Sequence, residues 1–282
     1  MANFGERHGG ISPRSVMQTD ALDDETRIEL WNVLFNAKEF FNSEYSHMQN
    51  RTSRGVATYI WRTHLAQPID AFDADVAWAI VRKKLLTGSF VETLWMVEEF
   101  VKGVGETTTS ADAKTIARGY NTVLERHLVG YRFVDLELAP VSSEVEVAEI
   151  EAAFDATERF SGARKHLQHA LGMLSSKDAA NYAKAVAESV LAVEAIVRYL
   201  TGEKTLGAGL RVLSKSGFPA HPSLIAGWDK LYGYSNDGDG IRHGSIRDSD
   251  VDESLATYFV VSSSAFVNLL LKVSVEKDDD AD

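Results

Sequence analysis

The residues best suited to chemistry in this chain lie at the end of one segment, Tyr232-Gly233-Tyr234-Ser235-Asn236-Asp237-Gly238-Asp239-Gly240-Ile241-Arg242-His243-Gly244. It gathers four glycines around polar groups between two strongly helical stretches, where a plain connection needs only about two to eight residues. Glycine permits close backbone approach and positive φ, both useful where side chains converge on a ligand. Arg242 offers a planar fork for a phosphate, and His243 is the side chain suited to moving protons near neutral pH. Together they suit metal-independent RNA cleavage, in which a base removes a 2′-hydroxyl proton and a cation steadies the phosphorane oxygens. Glu188, next to the buried stripe of an earlier helix, is an acid that could orient either residue. The plainer alternative is a glycine-rich connection whose Arg242 and His243 cap the preceding helix or pair with acids.

A second arginine–histidine pair occurs in Arg164-Lys165-His166-Leu167-Gln168-His169. On a continuous helix Arg164 and His169 stand about 140° apart and share no face, so this stretch reads as a solvated helix surface. Glu194 and Arg198 have the spacing of an ordinary surface ion pair. His8, His47, His64, His127 and His221 lack a second ligand at metal-binding spacing, so no metal site is expected. No phosphate loop, dinucleotide fingerprint or serine nucleophile elbow occurs, and no cofactor is expected. Trp31, Trp61, Trp78, Trp95 and Trp228 fall on helical patterns and read as core.

Helices must position these groups. Apolar residues recur at helical spacing in Leu30-Trp31, Leu34-Phe35 and Phe41, behind the acidic start Asp23-Asp24-Glu25. Further helical runs cover 75–101, interrupted at Gly88, and 111–128. Tyr131 to Leu138 alternates and predicts one strand, stopped by Pro140. From Ser142-Ser143-Glu144 onward every run is helical: 144–157, 160–174, 179–200, 205–213 and 222–232. Gly202 is a natural stop. The last helix is expected after Asp250, with Glu253 in a capping-box position and a stripe of Leu255, Phe259, Ser262, Phe266, Leu269 or Leu270, and Val273. The expected fold class is all-α: an N-terminal helical domain over 1–142 with a minor β element, a C-terminal helical bundle over 143–275, and an acidic tail over 276–282.

Composition agrees with a folded chain: 45% hydrophobic, 25% charged, five prolines and no cysteine in 282 residues. The missing cysteines exclude disulfides, thiolate metal sites and cysteine nucleophiles, and fit a cytoplasmic protein. The N-terminus has no apolar run of the signal-peptide kind, and serines, Asn268 and Lys272 break the most apolar stretch, so no membrane partner is expected. The formal net charge is −12. Residues 144–282 hold 14 basic and 22 acidic side chains, and five of those acids sit in Glu276 to Asp282. An acidic surface opposes broad nonspecific duplex binding, though not a small basic site that acts on RNA.

Two stretches resemble one family. Phe4-Gly5-Glu6-Arg7-His8-Gly9, Asp24-Glu25-Thr26-Arg27 and Leu30-Trp31-Asn32 are similar to the N-terminal domain of AbiJ-type abortive-infection proteins. In the second half the resemblance rests first on Glu188-Ser189-Val190-Leu191-Ala192-Val193-Glu194, Thr205-Leu206-Gly207 and His221-Pro222. It continues through Leu231-Tyr232-Gly233-Tyr234, Gly240 to Gly244 and Ala265-Phe266-Val267-Asn268. These pieces, in this order, resemble the HEPN-like helical domain found with that module. The resemblance implies bacterial defence against phage and a ribonuclease toxin acting as a dimer, with Arg242 and His243 catalytic and Asn236, Asp239 and Glu188 in support. It departs from the family in one respect: HEPN toxins separate arginine and histidine by four to six residues, and here the two adjoin. The expected partners are RNA as substrate, a phage-derived trigger and a second copy bound through the C-terminal domain. A non-catalytic module that binds RNA or a nucleotide, or senses phage, stays open, as does a structural oligomer in which the loop only connects.

Overall fold

The computed structural model describes residues 16–43, 49–176, 179–216, 218–237 and 251–279. Eleven α-helices and one two-stranded sheet are found among them, so the fold is all-α with a minor β element. The chain separates into two compact units, Met1–Leu138 and Ala139–Asp282.

The first unit holds α1 (Asp24–Ser43), α2 (Gln49–Thr63), α3 (Ala74–Thr87), α4 (Phe90–Thr107) and α5 (Ser110–Arg126). Each well-defined start has a side-chain acceptor for the orphan N–H groups of the first turn. Asp23 Oδ1 accepts from the Thr26 amide at 2.8 Å. Asp73 accepts from Asp75 and Val76, and Ser89 with Glu92 forms a reciprocal capping box. That box, behind Gly88, splits the long apolar run into α3 and α4. Helix α4 is the hub: Phe90, Leu94, Val97, Phe100, Val101 and Val104 are buried among the other four helices.

Residues 131–138 do not form the one alternating strand that their pattern predicts. The segment is a hairpin of β1 (Arg132–Val134) and β2 (Glu137–Ala139). Asp135 takes a φ of 56° between them, and aspartate is among the few side chains that tolerate this region. All three residues of β1 are buried, which removes the alternation a half-exposed strand would show. Arg132 is only 2% exposed. Its Nη1 donates to the carbonyls of Val129 at 2.6 Å and Tyr131 at 2.7 Å.

The second unit contains α6 (Glu144–Ala156), α7 (Ser161–Ser175), α8 (Ala179–Thr201), α9 (Leu206–Lys215), α10 (Pro222–Asp237) and α11 (Glu253–Asp279). A capping box of Ser143 and Glu146 opens α6. Gly202, with a φ of 73°, ends α8 in the left-handed conformation. Helix α8 is central, packed against α7, α9, α10 and α11. Its buried stripe includes Val186, Ser189, Val193 and Ile196.

Helix α11 starts differently from the sequence expectation. Its first-turn acceptor is Asp252, which takes the Leu255 amide at 2.8 Å, while the Glu253 carboxylate accepts from the Tyr182 hydroxyl at 3.0 Å. Of the expected stripe, Phe259, Phe266, Leu270 and Val273 are buried and Leu255, Ser262 and Leu269 lie at its margins, while Ser263, Ser264 and Val267 widen the core face on one side. Polar contacts hold that wider face inward. The Ser263 hydroxyl donates to Ser189 Oγ at 3.3 Å, and Asn268 Nδ2 donates to the Glu149 carbonyl at 2.9 Å. Residues Glu253–Ser274 are long and apolar enough to cross a membrane, yet half of that stretch is buried within the unit. The helix packs on α8 and α6 as a core element.

Candidate functional site

Of the five residues singled out above, Arg242, His243 and Asp239 lie outside the described residues. Asn236 falls in the last turn of α10. Glu188 is described in full, and two histidines converge on it. His166 Nδ1 donates to Glu188 Oε2 at 2.7 Å. His169 Nδ1 lies 3.7 Å from the same oxygen. The two histidines are one helical turn apart on α7 and present one face, and the close packing of α7 on α8 sets Glu188 opposite them. The side chains are 34%, 50% and 25% exposed for His166, His169 and Glu188, so the carboxylate is sheltered and both rings reach solvent.

The reading of residues 164–169 as a plain solvated surface is therefore incomplete. Arg164 and His169 do part company as their spacing requires. The Arg164 guanidinium turns back to donate to the Phe154 carbonyl at 2.9 Å, satisfying an acceptor in the last turn of α6. The missed group is the histidine pair. Its spacing is visible in the sequence as His-x-x-His, but Glu188 is 22 residues from His166, and only the register of α7 on α8 reveals the acid between them. Glu194 and Arg198 form the expected i,i+4 pair, at 4.0 Å.

Such an arrangement has a definite chemical capability. A carboxylate that accepts from one ring nitrogen fixes the tautomer and leaves the other nitrogen as acceptor. A second imidazole on the same acid can carry a proton. Among the described residues no group of three or more histidine or acidic side chains is arranged to hold a metal ion.

Two shallow cavities flank α11. One, of about 550 Å³, lies against α6 and is lined by Glu149, Arg159, Asn268 and Lys272. Asn268 Nδ2 also reaches Glu149 Oε2 at 3.0 Å, so this asparagine clamps two helices. The other, of about 580 Å³, is an apolar groove beside α10, floored by Trp228 stacked on Phe266 at 4.3 Å between ring centroids.

In the first unit the distinctive residues build the scaffold. Arg27 Nη1 donates to Thr93 Oγ1 at 2.8 Å and to the Leu85 carbonyl at 3.3 Å, joining α1 to α3 and α4. Thr26 and Leu30 are wholly buried. Trp61 and Trp78 are core, but Trp95 is 48% exposed, with its ring 4.0 Å from that of His64. Burial, then the neighbouring Lys84, lowers the His64 pKa from its ordinary value.

The family described as AbiJ N-terminal domain 4 matches residues 2–156. No curated protein and no solved structure matches the chain.

Proposed function

From the premise that this chain belongs to the AbiJ N-terminal domain 4 family, which associates it with abortive-infection defence against phage, we propose that it is a metal-independent endoribonuclease effector of the HEPN type. The observation that carries the proposal is the family match over 2–156, which runs into a second compact unit whose described secondary structure after β2 is helical. In this reading the first unit is a scaffold and the second acts on RNA. Arg242 clamps the scissile phosphate, and its planar fork suits the charge that develops there. His243 transfers a proton, with Asn236 and Asp239 as polar supports of the same loop. A second copy, bound through the C-terminal unit, completes the effector, and a phage-derived component triggers it.

The test is phage challenge of cells carrying wild type, Arg242→Ala or His243→Ala at matched expression, paired with RNA cleavage by purified protein in EDTA. Loss of protection in both variants, together with cleavage that leaves a 2′,3′-cyclic phosphate or 3′-phosphate end, supports the reading. Protection and cleavage untouched by either substitution would remove Arg242 and His243 from the mechanism. RNA binding without turnover, weakened in Arg242→Ala, would replace the enzyme with a binding module.

A further inference from the structure

We propose that His166, His169 and Glu188 form an acid–base site for RNA phosphodiester cleavage, in addition to Arg242 and His243. The inference rests on the ribonuclease reading and extends it. Cleavage by the neighbouring 2′-hydroxyl needs two proton transfers, one from O2′ and one to the departing O5′. One histidine performs one of them in a given step. The helix pair α7 and α8 supplies two, one bonded to Glu188 and the other 3.7 Å from it.

Their geometry assigns the roles. The 2.7 Å bond from His166 Nδ1 to Glu188 Oε2 holds that ring in the tautomer whose Nε2 is a bare acceptor, so His166 is the base. His169 Nδ1, 3.7 Å from the same oxygen, is held less tightly. It stands one helical turn from His166 on the same face of α7, so the second transfer, to the leaving oxygen, falls to His169. Glu188 is a positioning residue: it orients both rings and touches no substrate. Lys184 lies one turn before Glu188 on α8 and is exposed, which brings a cation to the same face for the phosphate.

The step balances without a metal or cofactor. His166 Nε2 takes the 2′-hydroxyl proton, O2′ bonds to phosphorus, and the bond from phosphorus to O5′ breaks as His169 gives O5′ its proton. The products are a 2′,3′-cyclic phosphate and a 5′-hydroxyl. Imidazolium at His166 and neutral imidazole at His169 return to their starting states through water.

The test uses the purified full-length chain in EDTA, with a fluorogenic RNA oligonucleotide and its counterpart lacking the 2′-hydroxyl at the scissile position. Wild type should cut only the RNA. In a His243→Ala background, which silences the first pair, His166→Ala and His169→Ala should each lower the remaining rate by about 10²- to 10⁴-fold with unchanged circular dichroism, and free imidazole should restore part of the loss in either. Glu188→Gln should lose activity by a smaller factor that Glu188→Asp recovers. Should a histidine-to-alanine variant unfold, the corresponding glutamine variant carries the same expectation. A wild-type chain that cuts no RNA sinks the ribonuclease reading and this site with it. A wild type that cuts, with His166→Ala and His169→Ala at full rate and His243→Ala inactive, overturns this site alone.

Discussion

At Gly209 helix α9 lies tight against α8, and replacing it by alanine gives a quantitative test of the packing in the second unit. A methyl group at this position would sit 2.3 Å from Val197 Cγ1 and 3.1 Å from Thr201 Oγ1. Carbon atoms rest comfortably at about 3.5–4.0 Å, so the first contact falls short by more than about 1 Å. Val197 is fully buried, and a β-branched side chain in a helix has one strongly preferred rotamer. It has no easy way to swing aside. Overpacking of this kind costs about 1–3 kcal/mol, and the deficit puts Gly209→Ala in the upper part of that range. Alanine recovers up to about 1 kcal/mol through helix propensity. The net expectation is a loss of about 1–2 kcal/mol, or roughly 2–8 °C in Tm for a unit of this size. Urea and thermal melts followed by far-ultraviolet circular dichroism measure it. Gly227→Ala is the internal control: nothing lies within 4 Å of the added methyl, so stability should rise by up to about 1 kcal/mol. Trimming the obstacle provides the decisive arm. The double variant Gly209→Ala with Val197→Ala should be more stable than the sum of the single losses by about 1 kcal/mol or more. A Gly209→Ala protein that melts at or above wild type, or strict additivity of the pair, would refute the close crossing.

Asn268→Ala should cost about 1–2 kcal/mol, because it removes both bonds from α11 to Glu149; chemical denaturation measures this directly. Arg132→Ala should be severe, about 3 kcal/mol or more, since it opens a buried space and strands the Val129 and Tyr131 carbonyls; a loss under 1 kcal/mol would be incompatible with the burial described. Stability should also depend on His64. Its lowered pKa, caused by burial and then by Lys84, means that the native state favours the neutral ring. The contribution is complete above the unfolded value near 6.5 and is lost as pH falls through it toward the folded value. The drop in Tm between about pH 7.5 and 5 should be smaller in His64→Gln, and an identical drop would exclude His64 as its source.

Most of the helices can be read from the letters because their starts and stops are local events. The acid at Asp23, the Ser143–Glu146 pair and Gly202 each act within one helical turn of themselves. Residues whose meaning depends on a distant partner cannot be read so. The alternation of 131–138 looks like one strand until Asp135 turns the chain. The extra width of the α11 core face is set by Ser189 and Glu149, which lie 74 and 119 positions from their partners. Trp95 has the spacing of a core residue, and only the packing of α2 against α4 leaves it at the surface beside His64. The same limit applies to the candidate site. Glu188 stands out in the sequence as an acid beside a buried stripe, but the rings it holds come from another helix. The Gly240–Gly244 segment is the opposite case, conspicuous in composition and lying outside the described residues.

The His166–Glu188 contact also bears on the order in which the second unit forms. Its partners are 22 residues apart on successive helices that pack together more extensively than any other pair in the unit. Contacts this close along the chain incur little loop-closure entropy and form early. Helix α11, which closes the core over α6 and α8, brings together segments more than a hundred residues apart, as at Asn268 and Glu149, and must come later. During synthesis from the N-terminus, the helical hairpin that carries both imidazoles and their carboxylate is complete once α8 has emerged, before the residues that seal the bundle have been made.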